Sequence, residues 1–167
     1  ELSSSEPDID LSQGPEPRGG LPDTMTRLSP EALLLARKSV AARCLAIAAR
    51  HTPDDVEVQY RKRLTGCAWA RGRRIAAPRP VTRRALHVYL HEVAHVVLEH
   101  FHDRPVHVQE YEAEQWAFDI MRAEGVAIPR ASLQRAQAYV AHTIMREIDR
   151  SGGPIHLPAA QFARVCL

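Results

Sequence analysis

Leu86-His87-Val88-Tyr89-Leu90-His91-Glu92-Val93-Ala94-His95 is the stretch on which the reading of this chain turns. It reads as one apolar helix. On a helix His91 and His95 stand one turn apart and point the same way, so their imidazoles can converge on a single metal ion. Glu92 is then held beside that ion as a base for a bound water. The bland reading is two stray histidines beside a glutamate. Against it stand the buried look of the helix, the apolar pair Val93-Ala94 between the histidines, and a carboxylate-bearing helix that follows.

Working outward, the metal helix is expected over about 81–101 with Thr82 as its N-cap. Before it, Val56-Glu57-Val58-Gln59-Tyr60 alternates like a strand, and Cys67-Ala68-Trp69-Ala70 resumes as Ile75-Ala76-Ala77 after a turn or bulge at 71–74. An earlier helix, about 31–50, begins at the Ser29-Pro30 cap and carries Leu34, Ala41, Cys44, Leu45 and Ala48 at helical spacing. After the metal helix come helices over about 108–124, stopped by Gly125, and about 132–150, with a short piece near 158–165. These predict an α+β fold: a small antiparallel sheet of two or three strands packed with a mainly helical, zincin-like domain over 28–167. Residues 1–27, rich in Ser, Pro, Gly and acids, hold too little apolar surface to offset ordering entropy and read as a disordered tail.

A catalytic zinc takes three protein ligands and keeps one open position. The metzincin pattern would put a third histidine where Phe101 stands, with His100 and His102 on either side of the slot, so that family is set aside. The next helix offers Glu110, Glu112 and Glu114. Its apolar stripe is Ala113, Trp116, Ala117, Ile120 and Met121; at about 100° per residue Glu110 falls roughly 50° from the stripe centre, Glu114 roughly 90° and Glu112 roughly 110° on the other side. Glu110 is therefore expected to be the most buried of the three. A carboxylate there needs a cation, and a metal held by two neutral imidazoles would supply one. The alternative is a surface cluster in which Glu110 pairs with Arg104 or another arginine. Glu114, one turn on, could hydrogen-bond a ligand histidine from behind.

His91-Glu92-Val93-Ala94-His95 followed by Glu110-Tyr111-Glu112-Ala113-Glu114-Gln115-Trp116-Ala117 resembles the ImmA/IrrE zinc metallopeptidases, whose second motif has the form Glu-x-x-Ala-Asn-x-Phe-Ala. It is also similar to the Glu-Tyr-x-Ala-Asp motif of the HtpX-like membrane gluzincins, but this chain has no apolar run long enough to span a bilayer. The resemblance covers roughly 47–121, and it departs at Glu114, where Asn or Asp is usual, and at Trp116, where Phe is usual. It implies one Zn2+ ligated by His91, His95 and Glu110, Glu92 as catalytic base, and hydrolysis of a peptide bond in a narrow protein substrate such as a regulator or repressor. Tyr60, His107 and Tyr111 are candidate donors to the oxyanion formed on the way. His87, one turn before His91, reads more simply as a groove or packing residue than as an alternative ligand. His100, His102 and His107 read as surface or turn residues.

Composition bounds the partners. A chain of 167 residues, 45% hydrophobic and with net charge +2, has room for a real core and no extreme field. Its three cysteines, Cys44, Cys67 and Cys166, contain no CxxC, and neither a basic n-region nor an apolar h-region opens the chain. A reducing, cytoplasmic setting is the simpler expectation, with no membrane partner. The missing initial methionine reads as a piece of a longer protein. From Arg61 to Arg84 the charged residues are all basic. That segment could draw nucleic acid or an acidic protein, and it supports the alternative function: a zinc-containing, non-catalytic binding protein acting on DNA or a DNA-associated partner.

Overall fold

The computed structural model describes residues 29–101 and 104–166; the expected tail over 1–27 lies outside them, as does His102. The fold is α+β. In chain order it runs α1 (Pro30–His51), β1 (Glu57–Arg61), β2 (Cys67–Trp69), β3 (Arg74–Pro78), α2 (Arg83–Val97), α3 (Val106–Ala123), α4 (Arg130–Ser151) and α5 (Leu157–Ala163).

The sheet has three strands, but it is mixed rather than antiparallel. Its order is β1-β3-β2, with β1 parallel to β3 (Glu57 opposite Arg74) and β2 antiparallel to β3 (Cys67 opposite Ala76). The chain leaves β1, crosses to the far edge as β2 and returns through a tight turn into the centre. Ile75, Ala76 and Ala77 are buried, as a strand covered on both faces requires. Alternation within β1 set its faces and said nothing about which neighbour it would take. The turn is closed by the Arg73 N–H donating to Ala70 O at 3.1 Å. Arg73 sits at φ 45°, and its guanidinium is tied to Asp55, Nη2 to Oδ1 at 2.8 Å.

Around the sheet α1, α2 and α3 enclose the main core, centred on Ile47, Ile75, Leu86, Leu90, Val93 and Met121. The Ser29 cap forms as expected, its Oγ accepting from Ala32 N at 3.2 Å. Only the second half of α1 is buried, through Cys44, Ile47 and Ala48, and Leu34 is exposed. A second cluster joins α4 and α5 through Val140, Ile144, Ala159 and Ala160, with Tyr111 and Phe162 against it. Helix α3 lies between the two, so it is covered on more than one side.

Candidate metal centre

Helix α2 starts where Thr82 Oγ1 accepts from Ala85 N at 3.1 Å and is buried along most of its length. The burial that makes it a core element also carries His91, Glu92 and His95 to the floor of a cleft of about 1050 Å³ between β2, α2, α3 and α4. Opposite, the first turns of α3 present Glu110. His91 Nε2 lies 3.1 Å from His95 Nε2, and Glu110 Oε2 lies 3.2 Å from the first and 3.6 Å from the second. Among the described residues these three form a group that could hold a metal ion. Donors held tetrahedrally at the zinc–nitrogen distance of about 2.0–2.1 Å stand roughly 3.3–3.4 Å apart, which is the size of this triangle. Glu110 Oε2 is buried and has no aligned hydrogen-bond donor although two imidazoles flank it. An oxygen so placed fits a cation better than a hydrogen bond. Arg104, the alternative partner for Glu110, pairs with Glu112 instead, at 2.9 Å.

Behind the triangle a second layer of side chains holds the imidazoles. Glu114 spans two histidines: its Oε2 is 2.6 Å from His87 Nε2 and its Oε1 is 3.3 Å from His91 Nδ1. His87 is stacked on Phe118, ring centroids 4.8 Å apart. On the other flank His95 Nδ1 meets His100 Nδ1 at 2.8 Å, and His100 Nε2 meets Glu112 Oε2 at 3.1 Å. Glu114, not Glu110, is the most buried acid of α3, with 5% of its surface exposed. The buried arc of the helix takes in His107, Glu114 and Phe118 as well as Ala113, Ala117 and Met121. This turns its centre roughly 60° away from the stripe read in the sequence. The cause is the cover from α4 and α5, and the rotated centre falls almost on Glu110, at the end where the helix opens to the cleft.

Electrostatics follow from this crowding. Burial raises the Glu92 carboxyl to about 7, with Glu110 and Glu114 nearby opposing its charge. Burial also works against Glu110 and Glu114, but their histidine partners override it and hold both at about 2. For His91 burial opposes the proton, yet the Glu114 and Glu110 carboxylates keep it well above the usual histidine range. His95 is pushed below that range by burial. A metal arriving here would displace a proton from His91.

Of the expected oxyanion donors, none stands in the cleft wall. Tyr60 projects from the outer strand β1 and is exposed. Tyr111 packs on Phe162 and His156, and His107 is buried, its Nε2 accepting from the His156 backbone N–H at 3.2 Å. The cleft instead presents Tyr139 from α4, a residue too remote in sequence for any motif to flag. Burial, then the charges of Glu110 and Glu92, raise its phenol and keep it protonated. Two further site residues escaped the sequence reading. Gly66, at the entry to β2, lies against Glu92 so closely that a Cβ there would overlap the Glu92 carboxylate. His100 is buried rather than a surface turn residue. Cys67 lines the cleft, is half-buried and stands outside the ligand group. No helix among the described residues is long and apolar enough to cross a membrane. Comparison with protein-family models, curated proteins and solved structures finds no match to this chain.

Proposed function

We propose that this protein is a zinc-dependent peptidase, similar to the ImmA/IrrE enzymes, which cuts a narrow protein substrate such as a transcriptional regulator in the cytoplasm. The observation that carries this reading is the convergence of His91 Nε2, His95 Nε2 and Glu110 Oε2 on one point, with Glu92 lining the same cleft. When bound, the ion supplies Lewis acidity toward the scissile carbonyl and makes a water acidic near neutral pH. Glu92 would accept a proton from the attacking water on its carboxylate as the water oxygen bonds to the carbonyl carbon. The C–N bond then breaks, and Glu92 hands the proton to the leaving nitrogen. Burial, aided by the charges of Glu110 and Glu114 and opposed by His91, holds Glu92 at about 7, and a neighbouring cation would draw it lower, so the carboxylate is available as a base at neutral pH.

The chain's other residues support this use of the cleft. Gly66 leaves Glu92 the room it occupies. The protonated Tyr139 phenol can donate to the oxyanion, in place of the candidates the fold puts elsewhere. β2 is an edge strand, and with its flanking residues it lines the cleft from Thr65 to Gly72, where an extended peptide could add to its free edge. The basic segment is divided by the fold: Arg71 and Arg74 line the cleft, over Phe101 and Trp69, whereas Arg73 is neutralised by Asp55. All three cysteines are free, which suits a reducing compartment.

The test combines metal analysis with mass-spectrometric profiling of a proteome-derived peptide library. Wild-type protein should bind one zinc and cleave library members; Glu92→Gln should keep the zinc and lose the cleavage, and a chelator should abolish it. Failure to bind zinc, or cleavage by Glu92→Gln at the wild-type rate, overturns the reading.

A further inference from the structure

Helix α2 does not run on to Phe101 as its sequence suggests. It ends after Val97 in a turn that takes the left-handed conformation at Glu99, φ 54°. The Glu99 N–H donates to Val96 O at 3.4 Å and the His100 N–H to His95 O at 3.0 Å, the paired bonds of a Schellman motif. Such a turn usually has glycine at the left-handed position, because a side chain there is strained. Here it carries a glutamate, and its effect is to fold His100 back over His95. Two contacts therefore join these residues, one through the backbone and one through the rings, Nδ1 to Nδ1 at 2.8 Å.

Two nitrogens at hydrogen-bond distance must share one proton, so one ring donates and the other accepts. The chain of contacts decides which. His100 Nε2 faces the Glu112 carboxylate, which can only accept. Glu112 is also paired with Arg104, whose Nη1 lies 2.9 Å from Oε2 and donates to Oε1 at 3.0 Å. His100 therefore carries its proton on Nε2 and presents a bare Nδ1 to His95. His95 must then donate from Nδ1, which leaves the lone pair on its Nε2, the atom of the candidate triangle. The far end agrees. His91 Nε2 lies 3.1 Å from His95 Nε2, and a proton on the former would again ask His95 Nε2 to accept.

We infer that His100 and Glu112 form a tautomer lock that forces His95 to offer Nε2 to a metal, with His100 as a positioning residue outside the ligand set. Imidazole ligands in general are oriented through their second nitrogen, most directly by a carboxylate or carbonyl. In this chain the carboxylate acts one ring further away, through a second histidine. The inference rests on the metal-binding half of the reading above and is independent of peptide cleavage.

Long-range 15N–1H correlation spectra of the metal-free protein test it directly. His95 and His100 should appear as opposite tautomers, protonated on Nδ1 and on Nε2 respectively. Zinc affinity, measured by competition with a chromogenic chelator, should fall about 10- to 100-fold in His100→Ala. His100→Asn, whose Oδ1 takes the place of Nδ1 as acceptor, should recover most of that loss, which a purely structural role would not predict. Glu112→Ala should give a smaller loss and a mixture of His95 tautomers. A wild-type spectrum with His95 protonated on Nε2 overturns the lock, as does wild-type zinc affinity in His100→Ala. Should His100→Ala not fold, the wild-type spectrum and Glu112→Ala decide. Absence of zinc binding by the wild type would count against the metal reading, while the tautomers of the metal-free protein would still decide the lock.

Discussion

Helix α3 separates two pairs of histidines, each with one ring buried and one half-buried, that ended up with opposite roles. On one side His91 and His95 face Glu110 with their Nε2 nitrogens, and each has a polar group beside its Nδ1. On the other, His107 is wholly buried among α3, α4 and α5, and its neighbour His156 contributes a backbone N–H rather than a ring nitrogen to the contact. Burial pulls His107 below the usual range, so it stays neutral and behaves as a polar core residue. Histidine content and depth are alike on the two sides. What differs is the convergence of lone pairs with a carboxylate, and among the described residues only the first side achieves it.

That contrast can be broken most sharply at Glu110. Glu110→Ala should weaken zinc binding by more than about 100-fold, beyond what loss of an outer contact costs, as read by chelator competition. At a zinc concentration of 100 times the wild-type Kd, bound metal should add about 2.7 kcal/mol of stability, and calorimetry should show that gain vanish with a chelator or in the variant. If Glu110→Ala keeps wild-type affinity, the two histidine pairs are not different in kind.

The opposite side supplies the matching test. His107→Leu leaves the His156 N–H without its acceptor and should cost about 1–3 kcal/mol in chemical denaturation while zinc affinity stays at the wild-type value. A loss of zinc there would mean that the pairs are coupled through α3. A third measurement uses pH. Metal binding expels the proton that Glu114 and Glu110 hold on His91, so zinc affinity should fall as pH is lowered, by up to about tenfold per unit, and should still be rising with pH at 7. An affinity already flat at pH 7 would show His91 to be unprotonated there. The smallest effect belongs to the turn after α2. Glu99→Gly should relieve the left-handed strain, a change of at most about 1 kcal/mol once the greater freedom of glycine in the unfolded chain is offset. Glu99→Val should destabilise the protein and weaken zinc binding together, because His100 would lose its place over His95.

Much of this site was legible because helices are periodic. The spacing of His91, Glu92 and His95 alone put them on one turn, and the caps at Ser29 and Thr82 marked where α1 and α2 begin. Glu110 was legible for an incomplete reason. The apolar stripe of α3 pointed near it, yet the real buried arc is rotated toward Glu114, because α4 and α5 cover a face that the stripe leaves polar. The parallel pairing of β1 with β3 was not legible, since alternation tells a strand's two faces apart without choosing its neighbour.

The sequence by itself determined what is local: which segments coil, where they are capped, and that two imidazoles and a glutamate share one helical turn. Those follow from backbone geometry within a few residues. Only the tertiary structure decided which acid closes the triangle, that Gly66 makes room for Glu92, that Tyr139 stands in the wall, and that His100 folds back to set the proton on His95. Each of these depends on groups brought together from separate elements, or on a residue held at a strained angle by what surrounds it, and no spacing rule along one chain encodes that.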